Sequence, residues 1–297
     1  MDGCISGQHI STDAAADAVP HVVVAHCEPG GRAPLGLDRA LPLLGGGARL
    51  APFGLPSDCG MDHLPHFRSV VAEACRHQWL RSENWFWQKP TALVGPDGTG
   101  RGLAARWLAV AAGLPLFRFD PRSLARSHRN DVWPSEQRVP PLPAIAIAAS
   151  ACANPIILME IDEEPTEAVD ELLAKLIDPR LTARWLDDAT GAVLDMSHVT
   201  WIVQAERLPP ALGSAIDDMG AVLEVGRPSG VAASLRSLAI TGEVCRDLGL
   251  DAVRSAAVFA AVDEARKAAG VRTGPVSCAA LCELAAREAR SLTGAGA

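Results

Sequence analysis

An α/β core built on a parallel sheet and followed by an all-helical segment is the fold class this sequence predicts. Three observations carry it. The chain has 297 residues, enough for two ordinary domains or one large one. Between residues 91 and 225, short apolar runs bounded by turn residues alternate with helical stretches, as strands joined by crossover helices do. Beyond Pro228 the strand-like runs stop and only helical periodicity continues.

Taken in order, residues 1–60 read as a loosely structured lead-in, rich in glycine and proline, with one β-like run at 21–26. An amphipathic helix is expected over 66–80 from the spacing of Phe67, Val70, Val71, Ala74 and Trp79. Strands are expected at 91–94, 116–119, 156–161, 200–204 and 221–225, with helices at 102–112, 144–151, 167–177 and 210–216 between them. Helices at 231–248, 252–269 and 277–292 complete the chain. The domain reading is a lead-in over 1–60, an α/β core over 61–227 and a helical domain over 228–297.

Composition narrows the function. With 27 Lys and Arg against 35 Asp and Glu the formal charge is -8, which argues against a phosphate-neutralising nucleic-acid surface and against anionic membranes. The longest apolar runs fall far short of the roughly 20 residues of a membrane span. Residues 1–20 carry no export signal, so a cytoplasmic protein is expected. The 8 cysteines form no CxxC pair, and thiols are the default. Cys278 and Cys282 are half a zinc site at most, and no metal site is expected. His63 and His66 lie outside any metal-binding context, and the segment from Trp79 to Trp87 is either an interaction patch or helix-on-sheet packing.

The chemistry-bearing motif is Gly95-Pro96-Asp97-Gly98-Thr99-Gly100-Arg101-Gly102, which follows an apolar strand and opens a helix. That is the setting of a GxxxxGK[ST] phosphate loop, whose amides and helix dipole converge on phosphate oxygens. It departs from the pattern twice. Arg101 stands where a lysine should reach the terminal phosphates, and its planar fork is no simple substitute for an ammonium. Gly102 stands where a hydroxyl should bind magnesium. An ordinary glycine-rich turn is the alternative. Downstream, Asn154-Pro155-Ile156-Ile157-Leu158-Met159-Glu160-Ile161-Asp162-Glu163 is an apolar strand ending in carboxylates, where a nucleoside triphosphatase keeps its magnesium-binding and water-activating acids. A buried strand running into an acidic surface loop would read the same way.

Four further segments occur in a telling order: Leu172-Leu-Ala-Lys-Leu-Ile-Asp-Pro179, Trp185-Leu-Asp187, Leu194-Asp-Met-Ser-His-Val-Thr-Trp-Ile-Val-Gln-Ala-Glu206 and Leu208-Pro-Pro-Ala-Leu212. Together they resemble the ATPase module of Lon-type AAA+ proteins, over about residues 90–226. Leu41-Pro-Leu-Leu44 is similar to a segment preceding the core in short stand-alone AAA+ proteins of bacteria. The resemblance implies a P-loop AAA+ core with a C-terminal helical lid, and ATP and Mg2+ as ligands.

Carried over residue by residue, the resemblance exposes losses. The family's Asp-Glu-Ile-Asp falls on Met159-Glu160-Ile161-Asp162, so the magnesium-organising Asp is Met159 and the water-activating Glu is retained as Glu160. A shift of three residues would make Asp162 and Glu163 the acidic pair instead. Glu206 replaces the water-orienting Asn, and Asp217 or Asp218 stands near the position of the Arg given in trans. Arg272 matches the lid's sensor Arg, or is a solvated helix-end residue. Of the aromatic pair expected in a pore loop, only Trp133 is present.

The chain has only three lysines, Lys89, Lys175 and Lys267, and no tyrosine, a coding bias that accounts for Arg101 but not for Met159 or Glu206. A trans Arg alone is worth about a thousandfold or more in rate. The expectation is therefore a pseudo-ATPase with degenerate Walker motifs, binding ATP and Mg2+ weakly and working as a scaffold or regulator of a protein partner, without forming a homohexamer. Two alternatives stay open: a working, atypical ATP-hydrolysing remodeller, and a binding protein that kept only the fold. Peptidase activity is not expected, because no length remains after the helices for a Ser-Lys peptidase domain.

Overall fold

A computed structural model describes residues 19–26, 34–45, 72, 84–97, 99–121, 142–187, 192–226, 230–268 and 278–294. At its centre lie β4 (Thr91–Val94), β5 (Leu116–Phe119), β6 (Ile156–Ile161), β9 (Thr200–Ala205) and β10 (Ala221–Glu224). They form one five-stranded sheet in the order β10-β4-β9-β6-β5, with every pairing parallel. The three inner strands are buried on nearly every residue, whereas the edge strands β5 and β10 are partly exposed. Continuous apolar runs such as Ile156-Ile157-Leu158-Met159 suit a strand covered on both faces.

The register Leu158↔Ile202, Met159↔Val203 and Glu160↔Gln204 assigns the two faces. On one face Leu93, Ile156, Leu158 and Ile202 pack against Ala104, Ala105 and Leu108 of α1 (Arg101–Ala112). Three alanines or glycines in the first turns of that helix let it approach the sheet closely. On the other face Ala92, Ile157, Met159, Trp201 and Val203 meet α2 (Leu142–Ser150), α3 (Glu167–Ile177) and α5 (Pro210–Met219). Phe119 and Trp201 stack edge to face there at 6.2 Å. Each fully buried Leu, Ile or Val contributes about 1.5–3 kcal/mol, so this two-sided packing dominates the fold.

The expected strands and core helices are present, with ends moved by no more than about three residues. Three additions were not expected. Between α3 and β9 lie the short helix α4 (Pro179–Thr182) and the strands β7 (Trp185–Asp187) and β8 (Ala192–Leu194). The lead-in is ordered where it is described. It supplies β1 (His21–Val23), β2 (Ala25–His26) and β3 (Ala40–Pro42), the first and third paired antiparallel and β2 joined to β8 in a three-stranded sheet with β7. Val24, Leu37 and Leu41 are at most 2% exposed and belong to the main core, so these residues are part of it and not a loose extension.

Asn154 ties this segment down: its side chain accepts from Leu44 N at 2.9 Å and donates to the carbonyls of Leu44 and Phe86, each at 2.8 Å. After β10 come α6 (Gly230–Asp247), α7 (Ala252–Ala268) and α8 (Cys278–Gly294), as the sequence led us to expect. The three pack on one another around a small cluster of their own, Cys245, Val258, Val262, Ala285 and Ala289. The helix expected over 66–80 lies outside the described residues, apart from Ala72. Among the described residues no helix is long and apolar enough to cross a membrane.

Candidate functional site

The glycine-rich loop leaves β4 at the carboxyl end of the sheet and enters α1. Gly95 is required there: its amide donates to Ala205 O at 3.1 Å, and a Cβ would lie 2.1 Å from Val225 O. Gly100 caps α1 at φ 90°, a left-handed conformation that costs other residues strain. Thr99 between them is fully buried. Gly95 and Gly100 are thus both glycines for a geometric reason. What fills the loop differs from the motif.

Arg101 is the first residue of α1, and its side chain is only 6% exposed. Its guanidinium turns back into the loop, donating to Gly95 O and, at 2.6 Å, to Asp97 Oδ1. Charge-assisted bonds of this kind are roughly twice as strong as neutral ones. Glu206, just beyond β9, reaches the other side of the loop, where its Oε1 accepts from Asp97 N at 3.0 Å. A loop amide is thereby bonded to a carboxylate of the chain itself.

Beneath the loop, strand alternation brings Glu160 and Gln204 to the α1 face and Met159 to the opposite one. Met159 is fully buried among apolar side chains. Glu160 is fully engaged. Arg118 of β5 donates to it through Nε at 2.9 Å to Oε2 and through Nη2 to Oε1, and Gln204 Nε2 donates to Oε1 at 2.8 Å. The hydrogen bond to Glu160 raises the Arg118 guanidinium pKa above its ordinary value, partly offset by burial and reinforced by the charges of Glu160 and Asp162. For Glu160 to polarise a water, that fork must first be released. Gly102 lies over the same spot, its Cβ direction 3.3 Å from Gln204 Oε1 and 3.7 Å from Leu158 Cδ2.

The structure therefore gathers Gly95, Asp97, Arg101 and Glu206 at the loop, with Glu160 and Gln204 below. Pro96 is half-buried on the loop, and Asp162 and Glu163 are exposed just past β6. Asp217 and Asp218 are exposed on α5, and the charge of Asp218 acts on Arg180. Gly98, Trp133 and Arg272 lie outside the described residues. Two site residues escaped sequence reasoning, Arg118 and Gln204. Arg118 had a signal, since it is the one cation in the otherwise apolar run Leu116-Phe117-Arg118-Phe119.

These groups do not suit a magnesium-bound triphosphate. Gly102 offers no hydroxyl, Met159 faces away in the core, and Glu160 is held by Arg118. Among the described residues no three His, Cys, Asp or Glu side chains are placed to hold a metal ion.

A five-stranded parallel sheet flanked by helices, with a glycine loop joining β4 to α1, defines an α/β core of the P-loop kind. Comparison narrows this. The chain is 31% identical over 141 residues to a Lon protease from Syntrophus aciditrophicus (strain SB), a match covering 42% of this chain and 17% of that protein. The likeness is confined to that part, and the chain spans less than a fifth of the length of the relative it matches. No family model matches the chain.

Proposed function

We propose that the chain is a stand-alone AAA+ module of the Lon type whose nucleotide site has degenerated, and that it acts in the cytoplasm as a scaffold or regulator of a protein partner. The likeness to a Lon protease makes ATP and Mg2+ the ligands to test. The observation that carries the reading is Arg101 bonded back to Gly95 and Asp97, at the position where a lysine would reach forward to phosphate. Helices α6 to α8 are the lid in this reading, with Arg272 its remaining sensor.

The test is a titration with ATP, with and without magnesium, followed by a turnover assay. Little rise in melting temperature and only trace hydrolysis are the expected results. Turnover of roughly 1–100 per second, as in competent phosphoryl-transfer enzymes, would overturn the reading. Glu160→Gln is the control that assigns any residual rate to this site. The triple variant Arg101→Lys, Gly102→Thr, Met159→Asp is expected to bind ATP more tightly. Light scattering should show a monomer or small oligomer whose size does not change with ATP and magnesium.

One observation favours the rival, a working but atypical ATPase: Glu160 faces α1, on the loop side of the sheet. The same turnover assay decides between them.

A further inference from the structure

We propose that the glycine loop is closed by a lock of the chain's own side chains, in which Glu206 takes the place of a bound oxyanion. This rests on the reading of the loop as a former phosphate site and goes beyond it. The missing lysine and hydroxyl explain why a ligand gains little there. The lock explains why it is also kept out.

The lock has two halves of different strength. The Arg101 half is buried: its side chain is 6% exposed, and its fork satisfies the Gly95 carbonyl and the Asp97 carboxylate together. The Glu206 half is open to solvent. Its carboxylate accepts from the amide of Asp97, whose own side chain is 80% exposed, so water and ions reach this contact freely. A polyphosphate needs the loop amides, one of which Glu206 caps, and it must also displace a like charge. The two anions compete for one donor. A ligand's apparent affinity is reduced by the fraction of loops found open, and that fraction is set here by Glu206.

Both parts of the claim can be read from two variants. Glu206→Gln removes the charge but keeps an oxygen able to accept from Asp97 N. Glu206→Ala removes both. With inorganic tripolyphosphate as probe, titrated without metal into the full chain, the glutamine variant should bind about threefold more tightly than the parent and the alanine variant about tenfold. Hydrogen exchange at the Asp97 amide should be faster in the alanine variant, which reports opening directly. Because Glu206 is exposed, both variants are expected to fold, and their melting temperatures verify it.

Unchanged binding in both variants overturns the lock. Equal gains in the two overturn the capping half, because charge repulsion alone would then account for the effect. The degenerate-site reading fails separately, on turnover by the parent chain, whereas the lock is judged on the ratio of variant to parent affinity.

Discussion

Two carboxylates in this molecule do the same chemical task in opposite surroundings. Asp170 of α3 accepts from Ala211 N at 2.8 Å and Leu212 N at 2.9 Å, capping α5 from a neighbouring helix. It has to, because Pro209 stands at the N-cap and has no side-chain acceptor. Asp170 is 6% exposed. Glu206 likewise satisfies a backbone amide of another element, but in solvent. Burial separates them. Removing Asp170 strands two amides away from water, while water replaces Glu206 at once. The first contact is structural and the second is exchangeable.

This contrast assumes that the loop backbone is fixed by the core and not by Glu206. Gly95→Ala tests that assumption and should have the largest effect, a loss of about 3–5 kcal/mol in denaturant melts, since a Cβ cannot fit against Val225 O without moving β10. A loss under about 1 kcal/mol would mean that the loop floats and the comparison breaks. Asp170→Ala comes next, at about 2–3 kcal/mol by the same measurement. A neutral result there would erase the difference between the two carboxylates.

A third carboxylate sharpens the contrast through pH. Asp178 caps α4, accepting from Arg180 N at 2.9 Å and from its guanidinium. The bond from the Arg180 side chain, more than the backbone bonds, holds its carboxyl below the usual range against the opposing effect of burial. A group with a lowered folded pKa adds stability above its unfolded value of about 3.9 and loses it as the pH falls through the folded value. Asp178→Asn should therefore be less stable than the parent at pH 7, with the gap closing below about pH 4 in urea melts. The smallest effect belongs to Glu206→Ala, a loss of no more than about 1 kcal/mol relative to the parent in the same melts.

The sequence made the sheet legible and the lead-in illegible, for one physical reason. Inner strands such as 156–161 are apolar on successive residues, and that composition is visible locally. Strands of three residues, Trp185–Asp187 and Ala192–Leu194, are too short to show a period. The lead-in is held by long-range bonds, such as Asp195 N to Val24 O at 2.7 Å and Asn154 to Leu44, which no local pattern announces. The site divides in the same way. Gly95, Gly100 and the acidic strand end could be read directly. The pairing of Arg118 with Glu160 joins side chains from neighbouring strands, and the turn of Arg101 back into its loop depends on where Asp97 and Gly95 sit.

Asn154 has a consequence for the topology of the chain. Its one amide group bonds to Leu44 and Phe86 together, Phe86 N donates to Leu44 O at 2.9 Å, and Gly45 bridges Trp85. Leu44–Gly45 and Trp85–Phe86 are thus held side by side. A segment whose ends are pinned side by side adds closure entropy only as the logarithm of its length, roughly 0.6 kcal/mol for each doubling. The pin at Asn154 therefore fixes the exit from β3 and the approach to β4 together, as one joined point of the fold.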